Sequence, residues 1–136
     1  MQINKFPFTK INKSRLGIIY RPYIDPVWLF SQKRKDWIFS RMIVDTGADY
    51  TLLPRKYAID LGIDLIKDCL VETTLGIGGS ETVYLYKNLK IKIGNIKQII
   101  PVGFLERDDV PPLLGRLKCL ENLELIFKSR QTILKK

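Results

Sequence analysis

The sequence predicts an all-β domain, mainly strands with one or two short helices. The apolar residues fall in short runs rich in Val, Ile, Thr, Tyr and Phe, which suit a pleated surface better than a helix. Where alternation is strict, as in Leu89-Lys90-Ile91-Lys92-Ile93, its period is two, with the apolar residues on one face and the lysines in water. Gly, Pro and Asn turn signals separate the runs, and the segments with helical start or stop signals are brief.

In chain order, residues 16–24 form a β-branched and aromatic strand that ends at an Asp25-Pro26 turn. Residues 37–44 form a second strand, leading directly into Asp45-Thr46-Gly47. Residues 54–61 start with Pro and are followed by Gly62, the expected bounds of a short helix. Residues 69–75 and 81–86 flank Gly76-Ile77-Gly78-Gly79 and predict a hairpin with a glycine tip. After residues 89–93, Gly94-Asn95 offers a two-residue turn into residues 96–104, where Pro101 marks an edge strand or a bulge. Residues 116–122 predict a helical turn or two and residues 123–127 a strand. Lys128-Ser129-Arg130 is then a tight turn into residues 132–134. Residues 1–15 are expected as an N-terminal arm and residues 16–136 as the domain, with no repeat, linker or low-complexity segment.

The chain's 136 residues are enough for one domain that buries roughly two thirds of its unfolded surface. With no His, it has no Ser-His-Asp or Cys-His nucleophile, no His-ligated zinc site and no imidazole base. Acid–base chemistry must come from carboxylates, Lys, Tyr or Cys. Cys69 and Cys119 stand fifty positions apart and are expected as buried free thiols. The net charge of +9 is spread along the chain, densest at Lys33-Arg34-Lys35 beside Trp37. No nucleic-acid motif surrounds that run, so nucleic acid is not an expected partner. The N-terminus lacks a signal-peptide run, and no window reaches the roughly eighteen apolar residues of a membrane span. A cytoplasmic chain, with no membrane partner and no metal or cofactor, is the expectation.

One segment concentrates chemistry: Ile43-Val44-Asp45-Thr46-Gly47-Ala48-Asp49-Tyr50-Thr51-Leu52-Leu53-Pro54. It sets a carboxylate at the end of an apolar strand, on a tight loop. Thr46 can hydrogen-bond locally to fix that loop, and Gly47 lets backbone or substrate come close. Asp-Thr-Gly taken alone also fits an ordinary turn closing a strand.

With two further blocks in order, the segment resembles the active-site loop of the retroviral-type, or retropepsin-like, aspartic proteases, whose hallmark is Asp-Thr/Ser-Gly-Ala. Gly76-Ile77-Gly78-Gly79, about thirty residues on, resembles the flap tip that closes over bound peptide. Leu113-Leu114-Gly115-Arg116 resembles the segment that supports the catalytic loop. The resemblance runs from about Trp37 to Phe127. It implies a closed, barrel-like half-lobe that assembles as a symmetric dimer, because the chain carries a single Asp-Thr-Gly and the chemistry needs two. Neighbouring carboxylates that cannot both ionise share one proton, and aspartic proteases are the familiar illustration.

The resemblance further implies Asp45, Thr46 and Gly47 as catalytic, and Ala48, Asp49, Gly76, Ile77 and Gly78 as substrate-binding. Gly115 and Arg116 would support the site, with Arg116 paired to Asp49; Ala48, Leu52, Leu53 and Ile77 would give the cleft an apolar floor. Tyr50 either shapes a subsite or packs, Trp28 and Trp37 are core or interface residues, and Glu106, Asp108 and Asp109 form a solvated acidic loop.

The expected function is hydrolysis of peptide bonds in extended polypeptides by a homodimer. The alternatives are a non-catalytic dimeric peptide-binding module and a basic nucleic-acid-binding protein. About thirty-five residues precede the first matched strand, and they either add strands, cover the cleft or are removed.

Overall fold

The computed structural model describes residues 3–76 and 79–136. Its elements in order are β1 (Ile3–Pro7), β2 (Thr9–Ser14), β3 (Gly17–Arg21), β4 (Tyr23–Ser31), β5 (Asp36–Val44), β6 (Thr51–Leu53), α1 (Lys56–Leu61), β7 (Leu70–Gly76), β8 (Gly79–Ile93), β9 (Ile96–Leu105), β10 (Leu113–Leu114), a 3-10 turn at Leu120–Asn122, β11 (Glu124–Lys128) and β12 (Gln131–Lys135).

The main sheet runs β4-β5-β10-β6-β9-β8-β7, and β4 also pairs with β8. That extra pairing closes six strands into a barrel and leaves β7 outside it, carried by β8. The barrel's interior is the core. Val27 and Leu29 of β4, Met42 and Val44 of β5, and Ile91 and Ile93 of β8 are buried at alternate positions, and Ile24 joins them from the far side of the β4 irregularity. Phe104 and Leu114 complete it, and Ala58 and Leu61 of α1 pack beneath.

The long β8 serves two structures. Its second half, through Leu89 to Ile93, is a barrel stave, and its first half pairs with β7 to form the glycine-tipped hairpin. A register shift between Tyr86 and Leu89 lies between the two halves. Pro101 sits opposite this shift, one residue before β9 begins to pair with β6 at Val102. It is therefore a bulge position on a central strand. Its missing N–H falls where the ladder is already interrupted.

Several boundaries differ from expectation. Asp25-Pro26 does not end a strand: β4 runs through it with a cis peptide and a register shift between Ile24 and Val27. Pro54 precedes α1, and the Lys56 amide is satisfied by Asp108 Oδ1 at 2.8 Å. Gly62 ends the helix as expected, at φ 74°. The segment after Arg116 forms turns and then the short 3-10 turn.

Within residues 1–15, the stretch expected as an N-terminal arm, Ile3–Pro7 and Thr9–Ser14 are strands. β1 pairs with β12 along its length, and β12 also pairs with β11, making a three-stranded sheet. The β2–β3 hairpin stands as a separate two-stranded sheet. Of the three fates open to the residues before Trp37, strand formation is the one observed, and β4 is part of the barrel. Among the described residues no helix is long and apolar enough to cross a membrane.

Candidate active site

β10 lies between β5 and β6, parallel to the first and antiparallel to the second. The loop joining β5 to β6 must therefore pass over the end of β10, and this crossing positions Asp45. Its N–H donates to the Leu114 carbonyl at 3.0 Å, just as the Ile43 N–H donates to Pro112. The half-buried carboxylate is held from the other side: the Gly47 N–H donates to Asp45 Oδ1 at 2.9 Å. A Cβ at Gly47 would lie 3.2 Å from that oxygen, so glycine keeps the acid uncrowded. The Ala48 N–H closes the turn onto the Asp45 carbonyl at 3.2 Å.

Thr46 departs from expectation. Its side chain is exposed, and among the described residues its hydroxyl makes no hydrogen bond within the chain. The amides of Gly47 and Ala48 fix the loop instead.

Gly115 and Arg116 brace this loop from beneath. The buried Gly115 N–H donates to Thr51 Oγ1 at 3.1 Å. A Cβ there would fall 2.3 Å from the Tyr50 carbonyl carbon and 2.8 Å from the Thr51 nitrogen, so only glycine fits. The Arg116 N–H donates to the Ala48 carbonyl at 3.1 Å, and its guanidinium meets Asp49 at 2.5 Å. The expected pair exists, but its side chains are 48% and 83% exposed, so it contributes only about 0–1 kcal/mol. The firmer bracing is backbone: Leu117 N–H donates to the Asp49 carbonyl at 2.7 Å.

Above Asp45 lies an open groove of about 460 Å³. Asp45, Ala48, Leu52 and Leu113 form its floor, while Thr74, Leu75, Gly79 and Ser80 come from the two arms of the β7–β8 hairpin. Glu81 and Arg107 line it as well, with an Arg107–Glu81 separation of 3.8 Å. The hairpin thus faces the acid, as a covering flap requires. Gly76 ends β7, paired with Gly79, whereas Ile77 and Gly78 lie outside the described residues.

Some expected residues fall elsewhere. Leu53 is fully buried in the core and not in the floor, because β6 alternates: Thr51 and Leu53 point inward and Leu52 outward. Asp49 is turned to Arg116 and is not among the groove's lining residues. Tyr50 packs against Gly103, where an added Cβ would lie 2.9 Å from its ring. Burial, with Glu72 and Asp49 nearby, raises its phenol above the ordinary value.

The acidic loop is engaged with protein groups: Glu106 accepts from the Tyr84 hydroxyl at 2.8 Å and Asp109 pairs with Arg107. Among the described residues no three acidic or thiol groups gather as a metal site. Both cysteines are free, and burial pushes each thiol up to about 11. They are poor nucleophiles at neutral pH.

Sequence reasoning missed Glu81 and Arg107 as parts of the groove, and it named Thr51 and Leu113 only as members of their segments, without a role of their own. Thr51 carried one usable signal, a hydroxyl residue at an inward position of a short strand, where it must find a buried partner.

A small barrel that delivers one carboxylate beneath a two-stranded hairpin is the plan of the retropepsin-like aspartic proteases. Comparison with known proteins agrees. The family model described as Aspartyl protease matches residues 38–116, more than half of the chain, and the chain belongs to that family. A retropepsin-like aspartic protease from Rickettsia conorii, known from its crystal structure, superposes with a TM-score of 0.66 at 23% identity, over 98% of this chain and 99% of that one. The fold is thus shared end to end, including the strands before Trp37. A search among curated proteins returns no match.

Proposed function

We propose that the chain is an aspartic endopeptidase that works as a homodimer on extended polypeptides, with one Asp45 from each subunit. The observation that carries this reading is Asp45 itself, half-buried at the end of β5, gripped by the Gly47 amide and opening onto a groove faced by the hairpin. Thr46 and Gly47 are exposed beside it, so the acid is within reach of a second copy.

The chemistry needs both carboxylates. The ionised member takes a proton from a bound water, whose oxygen attacks the scissile carbonyl carbon. The protonated member donates to the carbonyl oxygen. As the tetrahedral intermediate collapses, the C–N bond breaks, the amine nitrogen takes the proton first removed from the water, and a diol hydroxyl returns a proton to the other carboxylate. The pair titrates as a unit, and neither acid has a private pKa. The groove's edges pair with the substrate backbone while Ala48, Leu52 and Leu113 receive its side chains.

Asp45→Asn tests this directly. Cleavage of a peptide library between about pH 4 and pH 7 is expected to vanish, with circular dichroism and molar mass unchanged. Retained cleavage refutes the reading. Peptide binding by the native chain with no cleavage at any pH favours the non-catalytic module.

A further inference from the structure

Strand alternation leaves one outer face of the barrel aromatic and basic. Across β4 and β5, Phe30 stands opposite Trp37 and Trp28 opposite Phe39. The rings meet edge to face at 5.4 and 6.3 Å. On the adjoining β8, the Lys92 ammonium lies 4.9 Å from the Trp37 ring and 6.0 Å from Trp28, and Lys90 lies 5.4 Å from Phe30. β9 extends the face with Lys97, in register with Lys92.

The turn from β4 to β5 adds Arg34, and α1 adds Lys56 and the carboxylate of Asp60. Asp60 already pairs with Arg34 at 3.4 Å. Two open grooves, of about 550 and 310 Å³, share Trp37 in their walls, and neither shares a residue with the Asp45 groove.

This composition narrows the occupant. Phe39 is 63% exposed, a costly position for a ring that touches nothing further. Protein–protein interface cores shed lysine, whereas here lysines are interleaved with the rings. Flat apolar rings joined by anionic links match both features at once. Bases stack on the aromatic side chains, and phosphates meet the ammonium groups. Duplex fits poorly, because its bases are already stacked and paired. A lipid surface would favour tryptophans projecting as wedges, but Trp28 and Trp37 are half-buried walls of grooves. We propose that this face binds single-stranded nucleic acid, independently of the Asp45 site.

Trp28 and Trp37 are the chain's two tryptophans, so intrinsic fluorescence reports on this face directly. Titration of the full chain with an oligo-dT of about twenty nucleotides is expected to quench it, with affinity falling as salt rises from about 50 to about 200 mM. Phe39→Ala, and separately Lys90→Gln with Lys97→Gln, are each expected to weaken binding on the order of tenfold, with circular dichroism unchanged. The lysines are exposed, so their variant keeps the test valid should Phe39→Ala misfold. Asp45→Asn is expected to bind as the native chain does. The proposal is overturned by absence of quenching, by equal affinity for a duplex of the same length, or by unchanged binding in the lysine variant. It is also overturned if phosphatidylserine vesicles shift the fluorescence and the oligonucleotide does not.

Discussion

Gly115 and Arg116 are neighbours in sequence with opposite expected sensitivities. At Gly115 a methyl group would overlap the Tyr50 backbone, which cannot move without shifting the active-site loop. Gly115→Ala is expected to cost at least about 1–3 kcal/mol in denaturant unfolding and to lower any cleavage in step. Arg116→Ala removes an exposed pair and should cost no more than about 1 kcal/mol in the same experiment. Cys119 supplies a third check. Burial favours its neutral thiol, and this outweighs the opposite pull of the Thr51 hydroxyl. The contribution is therefore full below the ordinary value of 9.0 and is lost as pH rises toward about 11. Denaturant melts between pH 8 and pH 11 should show the native chain losing stability more steeply than Cys119→Ala. At this scale the sequence was informative wherever chemistry and spacing coincide, as at Asp45, Gly47, Gly115 and Arg116. For Thr51 it offered only a hydroxyl at an inward strand position and no partner, because the backbone amide that the hydroxyl receives comes from sixty-four residues away.

The strands were legible wherever a run was long enough to show its period or was bounded by turn residues, as β5, β9 and β8's second half were. β10 was not. Two residues carry no period, and Leu113-Leu114 becomes a strand only because β5 and β6 stand on either side of it. β1 and β2 were missed because Lys and Asn interrupt them, and their stability comes from partners at a distance, such as β12. The β11–β12 turn invites a test at this scale. Ser129 and Arg130 both hold positive φ, 52° and 59°, as a tight hairpin with a matching twist demands. Neither residue favours that region, so Ser129→Asn with Arg130→Gly is expected to raise stability by about 1 kcal/mol, read as a higher thermal midpoint.

The proposed chemistry makes the single barrel half of an enzyme. Cleavage per chain should then rise with chain concentration and level off as molar mass, measured by light scattering, approaches twice that of the monomer. A chain that cleaves at full rate as a strict monomer contradicts the proposal. The three-stranded sheet constrains how two copies meet. β12 already has β1 on one side and β11 on the other, so a second chain can add strands only at the outer edges of that sheet. By itself the sequence determined the mainly-β class and the family resemblance, and it singled out Asp45 as the candidate acid, because these depend on local period and short motifs. Tertiary structure decided the closure of the barrel, the bracing of Asp45 from beneath and the facing of groove and hairpin, because each joins residues tens of positions apart. It also decided where part of the charge gathers. Cations dispersed along the chain signal nothing, but folding brings Lys92 over Trp28 and Trp37 and Lys90 over Phe30, the juxtaposition on which the proposed nucleic-acid face rests.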